Sequence, residues 1–308
     1  MANTYGKVSG TFQEIDNAYG KVSGVWKEAE EIYGKANGNW ELVFSAFEAT
    51  SFATLSSGSG TFTVPAQANA IHIQASVGGG GGAVGGADYD KAGGESSGGG
   101  GGSGAYVSDK VFSVTQGETI SYSIGSGGSG TGKGFNVTAS GGTNTTLSGS
   151  AAGAIFTLGG GGGSSGTGGG VKGPLRSNSS GSAGTATING TAVTSGTFRD
   201  SSGATVNVTS LNGGPVGTFN QSGNGSVGAN NGNCGGDNCR INGSDGGNSY
   251  AGNISGGTGG SSSGSGTNGG PGTRGSGGAG GSAQVNSGST SGGAGGNGEV
   301  QYRFLRIQ

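Results

Sequence analysis

Residues 266–281 read Gly-Thr-Asn-Gly-Gly-Pro-Gly-Thr-Arg-Gly-Ser-Gly-Gly-Ala-Gly-Gly, with glycine at every third position. Shorter runs with the same spacing are Gly79 to Gly85, Gly160 to Gly169 and Gly292 to Gly298. Three residues make one turn of a polyproline-II helix, and such helices pack closely only where no side chain intervenes. The four prolines are too few for collagen. The spacing therefore predicts a bundle of polyglycine-II helices that satisfy each other's backbone groups.

Composition narrows the possible classes of protein. The chain has 308 residues, of which 82 are glycine, while 29% are hydrophobic and 10% are charged. The large apolar side chains are too few for a conventional core of this length. A net charge of −2 provides no basic field for nucleic acid. So low a charge is also unlike ordinary disorder, which leaves flexible Gly/Ser linkers as the alternative to an ordered bundle.

Segments with strand character bracket the glycine tracts. Alternating apolar and polar residues indicate half-buried strands, and they occur at Phe62–Pro65, Ala70–Val77, Ala105–Val114, Thr119–Ile124 and Glu299–Ile307. Because such strands stand at both ends of the tract region, we expect one folded body rather than a set of linkers. The predicted fold class is mainly β and irregular, with almost no α-helix.

The first 45 residues form an internal repeat of 14 residues. Its three copies run from Tyr5 to Phe12, from Tyr19 to Trp26 and from Tyr33 to Trp40. Short aromatic and β-branched runs around a glycine turn predict small hairpins. A unit this short cannot bury its aromatic face alone, so we expect the copies to stack on each other or on neighbouring chains. The predicted organisation is repeats over 1–45, a β-strand unit over 46–77 and a glycine-rich polyglycine-II and β domain over 78–308.

The order of the later motifs resembles the glycine-rich C-terminal domain of bacteriophage tail-fibre proteins, over roughly residues 58–308. The motifs that carry this resemblance are Phe62–Pro65, Ile71–Gly82, Gly98–Val107, Val114–Thr119, Ile124–Gly128, Val137–Gly142 and Gly292–Val300. A looser similarity is to the tip adhesins of T-even-like phages, in which glycine-rich motifs build a polyglycine-II sandwich. This chain differs from those adhesins because repeats and strands precede its glycines, so it could be the fibre itself or an attached tip.

The resemblance implies a virion protein, made in the host cytoplasm, that binds a bacterial surface receptor, either protein or glycan, without catalysis. It also implies a homotrimer. The N-terminal repeats would attach the chain to other tail or fibre proteins, through the aromatic residues Tyr5, Phe12, Tyr19, Trp26, Tyr33 and Trp40. The start of the chain has no basic segment followed by an apolar one, and no apolar run approaches the roughly 20 residues of a membrane helix.

Bulky residues between the tracts are the predicted receptor contacts, because exposed aromatics beside arginine and asparagine are typical of recognition surfaces. They are Leu175, Arg176, Phe198, Arg199, Asp200, Phe219, Asn220, Asn238, Arg240 and Tyr250. The alternative is that Phe198, Phe219 and Tyr250 cover the ends of the bundle, and both roles can hold at once.

No catalytic site, metal site or cofactor is predicted. His72 lies in an alternating strand without a neighbouring triad, so we expect a residue on the polar face of that strand. Cys234 and Cys239 either form a local disulfide or remain two reduced thiols. Asp88, Asp90 and Glu95 lack the spacing of a calcium loop and indicate a solvated loop.

Two other functions compete with receptor binding. One is a purely structural virion component, such as a fibre shaft, connector or decoration. The other is an ice-binding polyglycine protein, which requires a flat and regular array of threonine or alanine. The irregular insertions over 171–255 argue against that array.

Overall fold

The structure is a computed structural model that describes fifteen stretches of the chain; over the N-terminal repeats it describes strand backbones. The stretches are residues 5–8, 11–14, 19–23, 25–28, 31–36, 39–45, 47–83, 98–132, 137–166, 178–211, 240–241, 243–248, 257–258, 267–284 and 290–307.

Each N-terminal repeat forms an antiparallel hairpin, as predicted. The pairs are β1 (Tyr5–Val8) with β2 (Thr11–Glu14), β3 (Tyr19–Val22) with β4 (Val25–Glu28), and β5 (Glu31–Ala36) with β6 (Asn39–Ser45). Their registers place a lysine opposite an aromatic residue in every copy: Lys7 opposite Phe12, Lys21 opposite Trp26 and Lys35 opposite Trp40. The period of 14 residues is thus the period of one hairpin, and the stacking of the hairpins stays a prediction.

The other described strands are short and antiparallel. They are β7 (Ala53–Leu55), β8 (Ser59–Thr63), β9 (Ala70–Val77), β10 (Tyr106–Ser113), β11 (Thr119–Ser123), β12 (Val137–Thr138), β13 (Thr145–Gly149), β14 (Gly153–Leu158), β15 (Ser165–Gly166), β16 (Asn178–Ser179), β17 (Ala186–Ile188), β18 (Thr197–Arg199), β19 (Thr205–Asn207), β20 (Arg240–Ile241), β21 (Ala283–Gln284) and β22 (Glu299–Leu305). The described part contains one short helix, α1 (Val208–Leu211).

Two sheets face each other across the main core. One has the strand order β10-β9-β22-β7 and the other the order β17-β14-β13-β11-β8. Large apolar residues that are fully buried fill the space between the two inner faces, among them Ile71, Phe112, Ile120, Leu147 and Phe156. These residues come from both sides of residue 77, the predicted boundary between two units. The pairing of β9 with β10 and β22 joins those units into one body.

Strands of this sandwich lead directly into glycine-rich segments at one end. Residues 78–83 follow β9, 125–131 follow β11 and 159–164 follow β14, while 98–105, 139–144, 180–185 and 291–298 precede β10, β13, β17 and β22. The chain therefore changes from a two-residue to a three-residue period without leaving the folded body.

Residues 78–83, here called the central segment, show the predicted polyglycine-II bonding. Its N–H groups donate to three neighbours in turn, over 2.7–3.1 Å: residues 78 and 81 to the carbonyls of 105 and 102, residues 79 and 82 to those of 143 and 140, and residues 80 and 83 to those of 296 and 293. Its carbonyls at 79, 80 and 81 accept from residues 161, 128 and 278, on three further segments. A helix with a three-residue turn thus has a hexagonal shell of partners, and the polyglycine-II bundle is confirmed.

The packing explains why glycine is needed here. A Cβ atom on Gly80 would overlap the carbonyl oxygen of Ser276, and one on Gly81 would overlap that of Gly162. Both clashes are with backbone, which cannot turn aside as a side chain could. Gly132, by contrast, has no atom within 4 Å of the position that a Cβ would take.

The run over 266–281 is divided by a reversal that its spacing did not predict. Residues 267–272 and 275–282 are antiparallel neighbours, since Ala279 donates to the carbonyl of Gly270 and Ser282 to that of Thr267. The turn between them places Arg274 at φ 43° and Gly275 at φ 74°, the left-handed region that favours glycine at the second position. Nε of Arg274 lies 3.2 Å from Oε2 of Glu299, which ties the turn to the start of β22.

Candidate binding surfaces

Most of the predicted receptor contacts lie outside the described residues. These are Leu175, Arg176, Phe219, Asn220, Asn238 and Tyr250, and the same holds for Cys234, Cys239, Asp88, Asp90 and Glu95. The side chains of the proposed attachment residues Tyr5, Phe12, Tyr19, Trp26, Tyr33 and Trp40 also lie outside the description. Arg240 is described through its backbone alone, which pairs with Gln284.

Phe198 is not an exposed contact, so its predicted place on a recognition surface is wrong. The β18–β19 hairpin lays this side chain, 1% exposed, on the outer face of the four-stranded sheet. There it belongs to a second apolar cluster with Val111, Val208 and Leu305. It does not cover a bundle end either, because its neighbours Val111 and Leu305 belong to the four-stranded sheet of the sandwich. The alternation of Thr197, Phe198 and Arg199 was the available signal for a buried strand residue.

Asp200 and Arg199 have structural contacts in the same hairpin. Oδ1 of Asp200 accepts from the Ser202 hydroxyl at 2.6 Å and from the backbone N–H groups of Ser202 and Ala204 at 2.8 and 3.0 Å. The hydrogen bond from the Ser202 hydroxyl is the main cause that lowers the pKa of Asp200. The carbonyl of Arg199 accepts from Ala49 N–H at 2.7 Å. Asp200 therefore closes the turn, and Arg199 holds the segment that leads from the repeats.

A polar cluster lies beside Phe198 on this covered face. Nε of Arg303 donates to Nδ1 of His72 at 3.1 Å, across the β22–β9 pair. Neutral His72 must therefore carry its proton on Nε2. That atom lies 3.4 Å from Oδ1 of Asp109, but the two groups are not oriented to form a hydrogen bond. Asp109 lies in β10 between the paired residues Ser108 and Lys110, with a φ of 47°.

Two aromatic rings lie against the Arg303 guanidinium. Its Cζ lies 4.5 Å from the centroid of the Phe52 ring and 5.3 Å from that of Phe198. Phe52 also contacts the imidazole of His72 edge-on, with centroids 5.5 Å apart. Cation–π contacts of this kind stabilise a guanidinium that has lost part of its water. His72 does lie in a strand, as predicted, but it is 2% exposed because the 47–52 segment and the hairpin cover its face.

The glycine-rich domain model matches residues 54–305. This range runs from β7 to the end of β22 and so includes both sheets and the bundle. The chain belongs to the glycine-rich domain family. No curated protein sequence matches it significantly.

The glycine-rich domain has two distinct ends. At one end the bundle joins the sandwich, and the other end is called the distal end here. Described residues that reach the distal end include Ala83, Gly98, Thr131 and Ser164, which hydrogen bonds place at similar heights. The small sheet β12-β15-β16 lies at that end.

The described part of the glycine-rich domain contains no group of three His, Cys, Asp or Glu side chains able to hold a metal ion. Within the same residues, no helix has the length and hydropathy of a membrane span.

Acid should weaken the glycine-rich domain through His72. Burial is the main cause that lowers the pKa of His72 below 6.5; the contact with Asp109 opposes this, and the charge of Arg303 reinforces it. The unfolded chain then binds a proton at a higher pH than the folded one, so stability is lost as pH falls below about 6.5. Each unit of pKa depression contributes about 1.4 kcal/mol.

The measurement is the free energy of unfolding of wild type and His72→Gln at pH 7 and pH 5. Glutamine can accept from Arg303 but cannot be protonated, while Asp109, Asp200 and Arg303, the charged groups around His72, are common to both proteins. We expect the wild type to lose more stability than the variant between these pH values. Equal losses would contradict the role given to the imidazole.

Proposed function

We propose that the chain is a bacteriophage tail-fibre or tail-tip protein that recognises the host cell surface by non-covalent binding. The observation that carries the proposal is polarity: residues 49–50, which follow the N-terminal repeats, are bonded to the sandwich, whereas the bundle segments 78–83, 125–131 and 159–164 run from the sandwich to the distal end. An anchor at one end and a distal end that points away from it are what a receptor-binding tip requires.

Hydrogen bonds hold the segment after the N-terminal repeats to the sandwich, as expected if the repeats attach the domain to the virion. Thr50 N–H donates to the carbonyl of Phe304 at 3.1 Å, and its hydroxyl accepts from Phe304 N–H at 2.9 Å. Together with the bond from Ala49 to Arg199, these contacts fix residues 49–50 between β22 and β18. In this proposal the repeats bind other tail or fibre proteins through Tyr5, Phe12, Tyr19, Trp26, Tyr33 and Trp40.

The bundle provides a rigid base at the distal end. Every N–H of the central segment is bonded to a neighbour, so the ends of the helices are held in a fixed array. A homotrimer on the virion would multiply weak contacts made there. The proposal includes neither catalysis, nor a cofactor, nor nucleic acid as a partner.

The test combines localisation with adsorption. An antibody against the full chain should label the tail of the virion, and saturating free protein should reduce phage adsorption at least tenfold by occupying the receptor. Tail labelling without any effect on adsorption would favour the competing role as a purely structural virion component. Absence of the protein from virions would contradict both.

A further inference from the structure

The outer face of the five-stranded sheet carries a ladder of hydroxyl side chains. The register places Ser59, Ser123, Thr146, Thr157 and Thr187 side by side, one on each strand. A parallel row contains Thr61, Ser121 and Ser148, and a third contains Thr63 and Thr119. These residues are exposed or half-buried, whereas the alternate residues Ile120 and Leu147 fill the core.

The same surface continues onto the bundle. After β11 the outward positions change from every second to every third residue, and they are again hydroxyl residues, Ser126 and Ser129. Thr143 and Ser140 stand beside them on the neighbouring segment, with hydroxyl oxygens that accept from the N–H groups of Ser126 and Ser129 at 2.7 Å. The hydroxyl face is defined as Ser59, Thr61, Thr63, Thr119, Ser121, Ser123, Ser126, Ser129, Ser140, Thr143, Thr146, Ser148, Thr157 and Thr187.

The absence of charge separates this face from an ordinary solvent-exposed sheet. The strands and bundle segments that form it contain no Lys, Arg, Asp or Glu among their described residues, although the chain has 14 basic and 16 acidic residues. Exposed aromatic side chains are also missing from these elements: Phe62 and Tyr122 pack against the core. The exposed Phe52, at 38%, lies with the other sheet.

We propose that the hydroxyl face binds a neutral, hydroxyl-rich polysaccharide of the host surface, an inference that rests on the proposed function. Each hydroxyl can donate and accept, which matches the hydroxyl groups of a sugar. The pleat repeats such groups about every 7 Å along a strand and 4.8 Å between strands, so a polymer of repeating units can bind at many points. Charged glycans find no ion-pair partner here, and a protein interface would bring aromatic or apolar anchors that this face does not complement.

The test uses a face variant and a matched control in the full chain. The face variant is Thr61→Val, Ser121→Ala, Ser123→Ala and Thr146→Val, which removes hydroxyls but keeps shape and strand propensity. The control is Thr54→Val, Ser57→Ala, Ser113→Ala and Thr205→Val, with the same chemistry at exposed positions elsewhere. Unfolding midpoints of both should remain close to that of wild type.

The probes are immobilised bacterial capsular and O-antigen polysaccharides, neutral and anionic, and the bacterial cells that carry them. Wild type should bind neutral members, the face variant at least tenfold more weakly, and the control within twofold of wild type. Equal binding by face variant and wild type, or binding confined to anionic members, overturns the inference but leaves host recognition standing. If neutral polysaccharides are bound while phage adsorption is unaffected, host recognition fails and the inference stands. Freezing hysteresis that depends on the face, without any polysaccharide binding, would assign it to ice and overturn the inference.

Discussion

Gly80→Ala is expected to reduce the free energy of unfolding by about 4 kcal/mol or more, enough to prevent folding of the bundle. The added Cβ would overlap the carbonyl oxygen of Ser276 and lie 2.5 Å from its carbonyl carbon, and real Cβ contacts essentially never fall below 3.0 Å. To make room, two helices would have to separate. The hydrogen bond between these two helices, from Gly278 N–H to the carbonyl of Gly81 at 3.0 Å, would then be lost. Denaturant unfolding, followed by circular dichroism, measures the loss.

Gly132→Ala is the matched control. It makes the same chemical change at a glycine whose Cβ would have no atom within 4 Å. We expect its free energy of unfolding to stay within about 0.5 kcal/mol of wild type. Similar small effects at both positions would mean that the glycines are not required by packing.

Phe198→Ala is expected to cost about 3–5 kcal/mol, the range for removing a fully buried phenylalanine. The ring fills the space between the hairpin and the sheet, and it covers one side of the Arg303 guanidinium. Its loss would leave a cavity and weaken the support of a partly desolvated cation. The measurement is again denaturant unfolding.

Phe52→Ala controls for the loss of an aromatic ring beside Arg303. Phe52 is 38% exposed, so its removal should destabilise the protein by clearly less than Phe198→Ala. If Phe198→Ala kept its stability but lost binding to cells, Phe198 would be a surface contact, as its sequence context first indicated.

Glycine spacing predicted the type of helix but not its topology. A three-residue period follows from the geometry of one helix, so the central segment could be inferred from glycines alone. Which helices touch depends on bonds between distant residues, such as 80 with 296, and no local pattern encodes them. The glycine spacing does not reveal the reversal at Arg274, because it continues unchanged across the turn from one helix to the next.

The candidate binding surfaces, too, can be predicted only in part from the sequence. A bulky residue between glycine tracts suggests a surface position for Phe198, but its alternation with Thr197 and Arg199 favours the burial that the structure shows. The hydroxyl face cannot be predicted from the sequence because its rows combine strands far apart in the chain, such as β8 and β17. Serine and threonine among many glycines also have the composition of a linker.

Amide hydrogen exchange of the central segment tests the main claim, that the excess glycine builds a packed and hydrogen-bonded bundle. All six N–H groups from Gly78 to Ala83 donate to backbone carbonyls, so the account predicts protection as strong as that of β9 and β10 in the sandwich core. Exchange at the rate of an unstructured glycine chain, while those strands stay protected, would contradict the bundle.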